Sequence, residues 1–99
     1  MVHSRAEVLK EIQGHRAEIE KFCVTSISIF GSAARDELTA TSDVDVLVDY
    51  QEGQITFDNY MGLKFYLEDL FGRKVDLATQ KMLKPRLKTA IAGEIIHAS

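Results

Sequence analysis

The chain has one cysteine, no apolar run longer than a few residues, no internal repeat and no excess of basic side chains. The lone Cys23 excludes an internal disulfide and any cysteine-rich zinc site. The short apolar runs leave nothing to span a bilayer, and the opening Met-Val-His-Ser-Arg lacks the apolar centre of a secretory leader. A reducing cytoplasm is therefore the expected location, with no membrane partner. Twelve basic and fifteen acidic side chains leave a net charge of -3. Proteins that coat nucleic acid usually carry a basic surplus, so broad nucleic-acid binding is not expected.

What is present suits a small folded unit. Apolar residues make up 45% of 99, too many for a disordered chain and enough for one modest core. At roughly 100–200 residues per domain, residues 1–99 are expected to form a single domain.

Hydrophobic spacing predicts a first helix over residues 4–22. Ser4 and Glu7 form a capping box, and Val8, Ile12, Ile19 and Phe22 recur near one face. Residues 25–30 alternate with period two, which predicts a half-buried strand ended by Gly31-Ser32. A short helix over 33–38 and a Thr-Ala-Thr-Ser turn lead to the strongest alternation in the chain, a strand over 43–48. A third helix over 56–71 carries Tyr60, Leu63, Leu67 and Leu70 on one stripe and ends at Gly72. Residues 74–78 predict a third strand. Pro85 opens a final helix through Leu87, Ile91 and Ile95, with Gly93 as its weak point. Helices alternating with strands predict an α/β (α+β) layer fold: a small mixed sheet with helices packed mainly on one face.

In a strand, residues two apart share a face and lie about 6.5–7 Å apart at Cα. Asp43 and Asp45 therefore project together, while Val44, Val46 and Val48 turn into a core. Two such carboxylates repel unless a cation sits between them, and Mg²⁺ takes one or two protein carboxylates plus substrate phosphates. Taken alone, Asp-x-Asp also fits a solvated strand face, and Asp49 continues its parity without special meaning. Gly31-Ser32 adds a second element. Glycine lets backbone approach a ligand closely, and a helix start presents free amides to an anion. Asp76, in the short apolar segment Val75-Asp-Leu-Ala78, is a third acid that a neighbouring strand would bring into a carboxylate cluster.

Gly31-Ser32, ten residues, then Asp43-Val44-Asp45 resembles the signature of the DNA polymerase β-like nucleotidyltransferase superfamily. The stretch from Ile29 to Val48 resembles its minimal nucleotidyltransferases, which are paired with HEPN ribonuclease toxins in prokaryotic toxin–antitoxin modules. One departure is Asp36, where that subfamily commonly has glycine. The resemblance implies the polymerase β-like fold and an antitoxin that transfers AMP from ATP to a hydroxyl, expected to be a tyrosine, of a HEPN partner. It implies that Gly31 and Ser32 grip the triphosphate and that Asp43 and Asp45 hold two Mg²⁺ ions. Asp76 would ligate one ion and accept the acceptor's proton. Arg35 is left open between a phosphate and a helix-face acid. Two alternatives stand beside this: an antitoxin acting by occlusion alone, and a nucleotidyltransferase acting on a small molecule or an RNA end.

Other candidates read as structural. His3, His15 and His97 share no ligand spacing and are expected to be solvated, and Cys23 to be a small core residue. Phe65 and Tyr66 fall off the buried stripe and offer a partner-binding patch. Lys81, Lys84, Arg86 and Lys88 make a basic cluster that reads as a solvated face or as a surface for phosphates, RNA or an acidic partner.

Overall fold

The computed structural model describes residues 1–98. The chain runs through α1 (Arg5–Gly14), α2 (Arg16–Glu20), β1 (Val24–Phe30), α3 (Gly31–Ala34), β2 (Val44–Tyr50), α4 (Phe57–Phe71), β3 (Val75–Thr79), a 3₁₀ turn (Gln80–Met82), α5 (Pro85–Ile91) and β4 (Ile96–His97). The strands form one sheet in the order β3-β2-β1-β4. β1 is antiparallel to β2 and β4, and β2 is parallel to β3, so the sheet is mixed as expected.

Strand parity divides the sheet into two unlike faces. Ile27 and Ile29 of β1, Val44, Val46 and Val48 of β2, and Val75 and Leu77 of β3 join one continuous core. Onto it pack Val8 and Ile12 of α1, Ile19 of α2, and Leu63, Leu67 and Phe71 of α4. Each fully buried side chain of this size contributes about 1.5–3 kcal/mol over exposure, so this face carries most of the stability. The opposite face holds a smaller cluster: Phe30, Leu47 and Ala78 from the strands, covered by Leu83 and Ile91.

α4 follows the predicted span closely. The Thr56 hydroxyl accepts the Asn59 amide at its start, and Gly72 takes the left-handed conformation at its end. Three elements differ from expectation. The first helix is two, because Gly14 ends α1, His15 closes it back onto the Ile12 carbonyl, and α2 starts anew. The helix expected over 33–38 instead occupies Gly31–Ala34. Asp36 turns the chain there at φ 59°, a left-handed value that glycine adopts without strain, and its carboxylate accepts the Arg5 amide at the start of α1. The last helix stops at Ile91, and Ile96–His97 turns back as a fourth strand against Ser28 and Ile29.

Cys23 is half-buried in a left-handed turn (φ 66°) before β1, not a core residue. His97 is exposed as expected, and its Nδ1 lies 2.9 Å from the Ser28 hydroxyl. Tyr66 packs on Phe22 with ring centres 5.9 Å apart, so of the proposed aromatic patch only Phe65 is exposed. Among the described residues no helix is long and apolar enough to cross a membrane.

Candidate active site

The smaller-cored face is also where the acids lie. Val46 and Val48 must point into the main core, so Asp45, Leu47 and Asp49 point the other way. The antiparallel register sets Phe30 opposite Asp45, and the parallel register sets Asp45 opposite Asp76. With strands about 4.8 Å apart, the end of β1, Asp45 and Asp76 stand abreast within about 10 Å.

Gly31 is required at the end of β1 on two counts. Its φ of 65° is left-handed, and a Cβ added there would overlap the Asp45 carboxylate. The chain therefore turns into α3 with bare backbone against the acid, and Ser32 follows within the first turn, half-buried. Amides in the first turn of a helix have no intrahelical acceptor, so this turn can receive an anion beside the acids.

Asp45 is the electrostatic centre. Burial pushes its carboxyl from 3.8 up to about 6, and the charges of Asp76 and then Asp43 push the same way, while Arg35 opposes them. Asp76 is exposed. Asp43 is exposed as well, and it lies one residue before β2 instead of within it. Its position depends on the loop before it. There the buried Arg73 donates from Nε to the Val2 carbonyl (2.7 Å) and from Nη1 to the carbonyls of Thr39 (2.6 Å) and Ser42 (3.0 Å). One guanidinium thus ties the N-terminal segment, the loop leading to Asp43 and the start of β3 together. Neither periodicity nor any motif singled out Arg73; only the folded chain puts its donors among those carbonyls.

Arg35 was open between a phosphate and an acid. It pairs with acids: Nε lies 3.2 Å from Glu37, and Nη1 lies 3.0 Å from Glu94, which follows α5. Its charge still acts on Asp45. A 270 Å³ depression beside Asp43 is lined by Thr41, Ser42, Arg73 and Lys74. Among the described residues no group of three or more His, Cys, Asp or Glu side chains is placed to hold a metal ion, so Asp43, Asp45 and Asp76 do not converge into the three-carboxylate metal cluster expected from the sequence. The acids are an open row, two in register and one at the strand's mouth. An all-oxygen donor set with a carboxyl raised by burial and then by its acidic neighbours suits a hard divalent cation, which keeps water and substrate oxygens in its remaining positions.

A glycine turn into a helix beside a row of carboxylates is compatible with nucleotidyl transfer, and residues 9–97 match the nucleotidyltransferase domain model. The chain belongs to this family. Over 94 residues it is 42% identical to a provisionally named protein adenylyltransferase, MJ0126, of Methanocaldococcus jannaschii, covering 93% of this chain and 95% of the relative. It is 35% identical over 92 residues to the protein adenylyltransferase MntA of Thermococcus cleftensis, covering 92% of each. A solved structure provisionally named a minimal nucleotidyltransferase superposes with a TM-score of 0.71 at 34% identity, over 89% of this chain and 93% of that one.

Proposed function

We propose that the protein is an antitoxin-type adenylyltransferase that moves AMP from ATP onto a tyrosine hydroxyl of a HEPN ribonuclease toxin and silences it. The observation that carries the reading is Asp45, held against the Gly31 turn on one side and in register with Asp76 on the other. The relatives named as protein adenylyltransferases support AMP as the transferred group and a protein as the acceptor.

In this reading Gly31 and Ser32 hold the triphosphate at the α3 turn, and Asp43, Asp45 and Asp76 hold Mg²⁺, two ions in the full arrangement. The metal supplies charge neutralisation for the phosphates. Asp76, exposed at the edge of the row, takes the proton as the acceptor oxygen bonds to the α-phosphorus. The bond to the β-phosphate breaks, and pyrophosphate leaves. Positioning and charge compensation are the main sources of rate in such transfers. Arg35, paired with Glu37 and Glu94, tempers the acidic row.

The test incubates the purified protein with Mg²⁺, ATP labelled at the α-phosphate and a HEPN toxin encoded beside it. The expected result is label on a toxin tyrosine, loss of ribonuclease activity and release of pyrophosphate. An inhibited but unlabelled toxin would overturn transfer in favour of occlusion.

A further inference from the structure

The basic cluster near the C-terminus has no part in the chemistry above, yet its placement is not that of an ordinary solvated face. Four of the twelve basic side chains, Lys81, Lys84, Arg86 and Lys88, fall within eight residues, and no acid lies between Asp76 and Glu94. Of the eight basic side chains elsewhere, four pair with acids, Arg16 with Glu20, Lys21 with Glu18, Arg35 with Glu37 and Glu94, and Lys64 with Glu68, and Arg5 and Arg73 donate to backbone carbonyls. Among the described residues none of Lys81, Lys84, Arg86 and Lys88 has such a partner, and all four are exposed. Two large apolar side chains are exposed among them, Met82 at 56% and Leu87 at 45%.

The strip also lies on the face that carries the acids. Leu83 and Ile91 seat this segment on Phe30, Leu47 and Ala78, the neighbours in sequence or register of Gly31, Asp45 and Asp76. Glu94, just beyond α5, is gripped by Arg35. A macromolecule resting on the strip would therefore sit beside the carboxylate row.

We infer that Lys81, Met82, Lys84, Arg86, Leu87 and Lys88 form the docking surface for the acceptor protein, and that the face they receive is acidic with apolar contacts within it. The inference rests on the proposed transfer to a protein hydroxyl. Charge complementarity selects the acidic partner: a segment of four unpaired cations on an otherwise acidic chain steers an anionic surface to one place. Protein is favoured over nucleic acid by two features. Seven residues of helix span about 10 Å, room for few phosphates, and a backbone continuing along the face meets the aspartate row. Met82 and Leu87 offer apolar contact area that a phosphate backbone does not use.

The probe is a fluorescent random copolymer of glutamate and tyrosine, which presents acid and acceptor hydroxyls together. Binding is read by anisotropy, and transfer by label from α-labelled ATP with Mg²⁺. The triple variant Lys84→Glu/Arg86→Glu/Lys88→Glu is expected to bind the copolymer about tenfold more weakly and to raise its KM to match, with the KM for ATP unchanged. Lys84→Gln/Arg86→Gln/Lys88→Gln, checked by circular dichroism, is expected to fall between, which keeps the test open if charge reversal disturbs α5. Lys10→Glu/Arg16→Glu/Lys21→Glu makes the same change in net charge on the helices covering the opposite face and is expected to leave binding within about twofold. Equal loss in this control, equal binding by both α5 variants, absence of copolymer binding, or tighter binding of poly(U) than of the copolymer would each overturn the inference. Patch-dependent binding without label transfer would leave the docking surface standing and count against transfer to tyrosine. Transfer with an unchanged copolymer KM in the α5 variants would do the reverse.

Discussion

The same three strands build two faces with opposite duties. On one, Ile29, Val46 and Leu77 lie in a dry core under α1, α2 and α4; on the other, one residue along, Phe30, Asp45 and Asp76 border an open row of charge. The first face supplies stability. The second gives some of it back, because an acid whose carboxyl is pushed up to about 6 is held where its charged form is disfavoured. The lesson is that period-two alternation lets a sheet this small be both scaffold and site, with no residue serving both ends except at the joints, Gly31 and Arg73.

Substitutions should separate the two faces by the size of their effect on stability. Leu67→Ala, fully buried in the main core, is expected to cost about 2–5 kcal/mol in chemical denaturation, a large share of the stability of a domain of this size. Arg73→Met removes the donors to three carbonyls and is expected to cost about 3 kcal/mol. Arg73→Lys should recover part of the stability. A melting midpoint unchanged in Arg73→Met would show that the loop before Asp43 holds itself in place.

Gly31→Ala comes next, at about 1–3 kcal/mol, from the left-handed φ and the collision with Asp45. Its larger effect should be loss of nucleotidyl transfer, because the Asp45 carboxylate is displaced. Asp43→Asn and Asp76→Asn, both exposed, are expected to leave the midpoint near that of the wild type and to abolish transfer. Full activity in either would remove that residue from the row.

Asp45 adds a pH signature. Its folded value of about 6 lies above the ordinary 3.8, so between those values the folded chain holds more proton than the unfolded one. Metal-free stability should therefore fall as pH rises from about 4 through 6 and then level off. Asp45→Asn is expected to flatten that fall and raise the metal-free midpoint at pH 8 by a few degrees, about what 1 kcal/mol produces in a chain of this size. A midpoint below wild type at pH 8 would contradict the picture of a strained carboxylate.

The dry face was largely legible in the sequence. Val44, Val46 and Val48, with Leu63 and Leu67 at helical spacing, announce a buried strand and the helix above it, and all five are buried. The site was legible where chemistry and backbone coincide. Gly31 is required by its φ and by Asp45, and the alternation places Asp45 on the open face. Features made by contacts between distant segments were not. Ile96–His97 is too short for periodicity, and only its pairing with Ser28 and Ile29 makes it a strand. Arg73 reads as a surface cation until Val2, Thr39 and Ser42 surround it, and Arg35 gave no sign of choosing Glu94, 59 residues away. Asp36 is a middle case: the sequence marked it as a departure from the usual glycine, and only the structure shows the left-handed turn there together with an Asp36 bond to the Arg5 amide.

The central claim is that the open face, through Asp45 and its neighbours, is where a divalent cation and a nucleoside triphosphate bind. The most direct measurement is the melting midpoint at pH 8 of wild type and Asp45→Asn, titrated with Mg²⁺ and a non-hydrolysable ATP analogue together. The wild-type midpoint is expected to climb with ligand concentration, following a stabilisation of RT ln(1 + [L]/Kd), and that of Asp45→Asn, higher at the start, to stay flat. Equal rises in the two proteins would place the metal and nucleotide elsewhere and contradict the account.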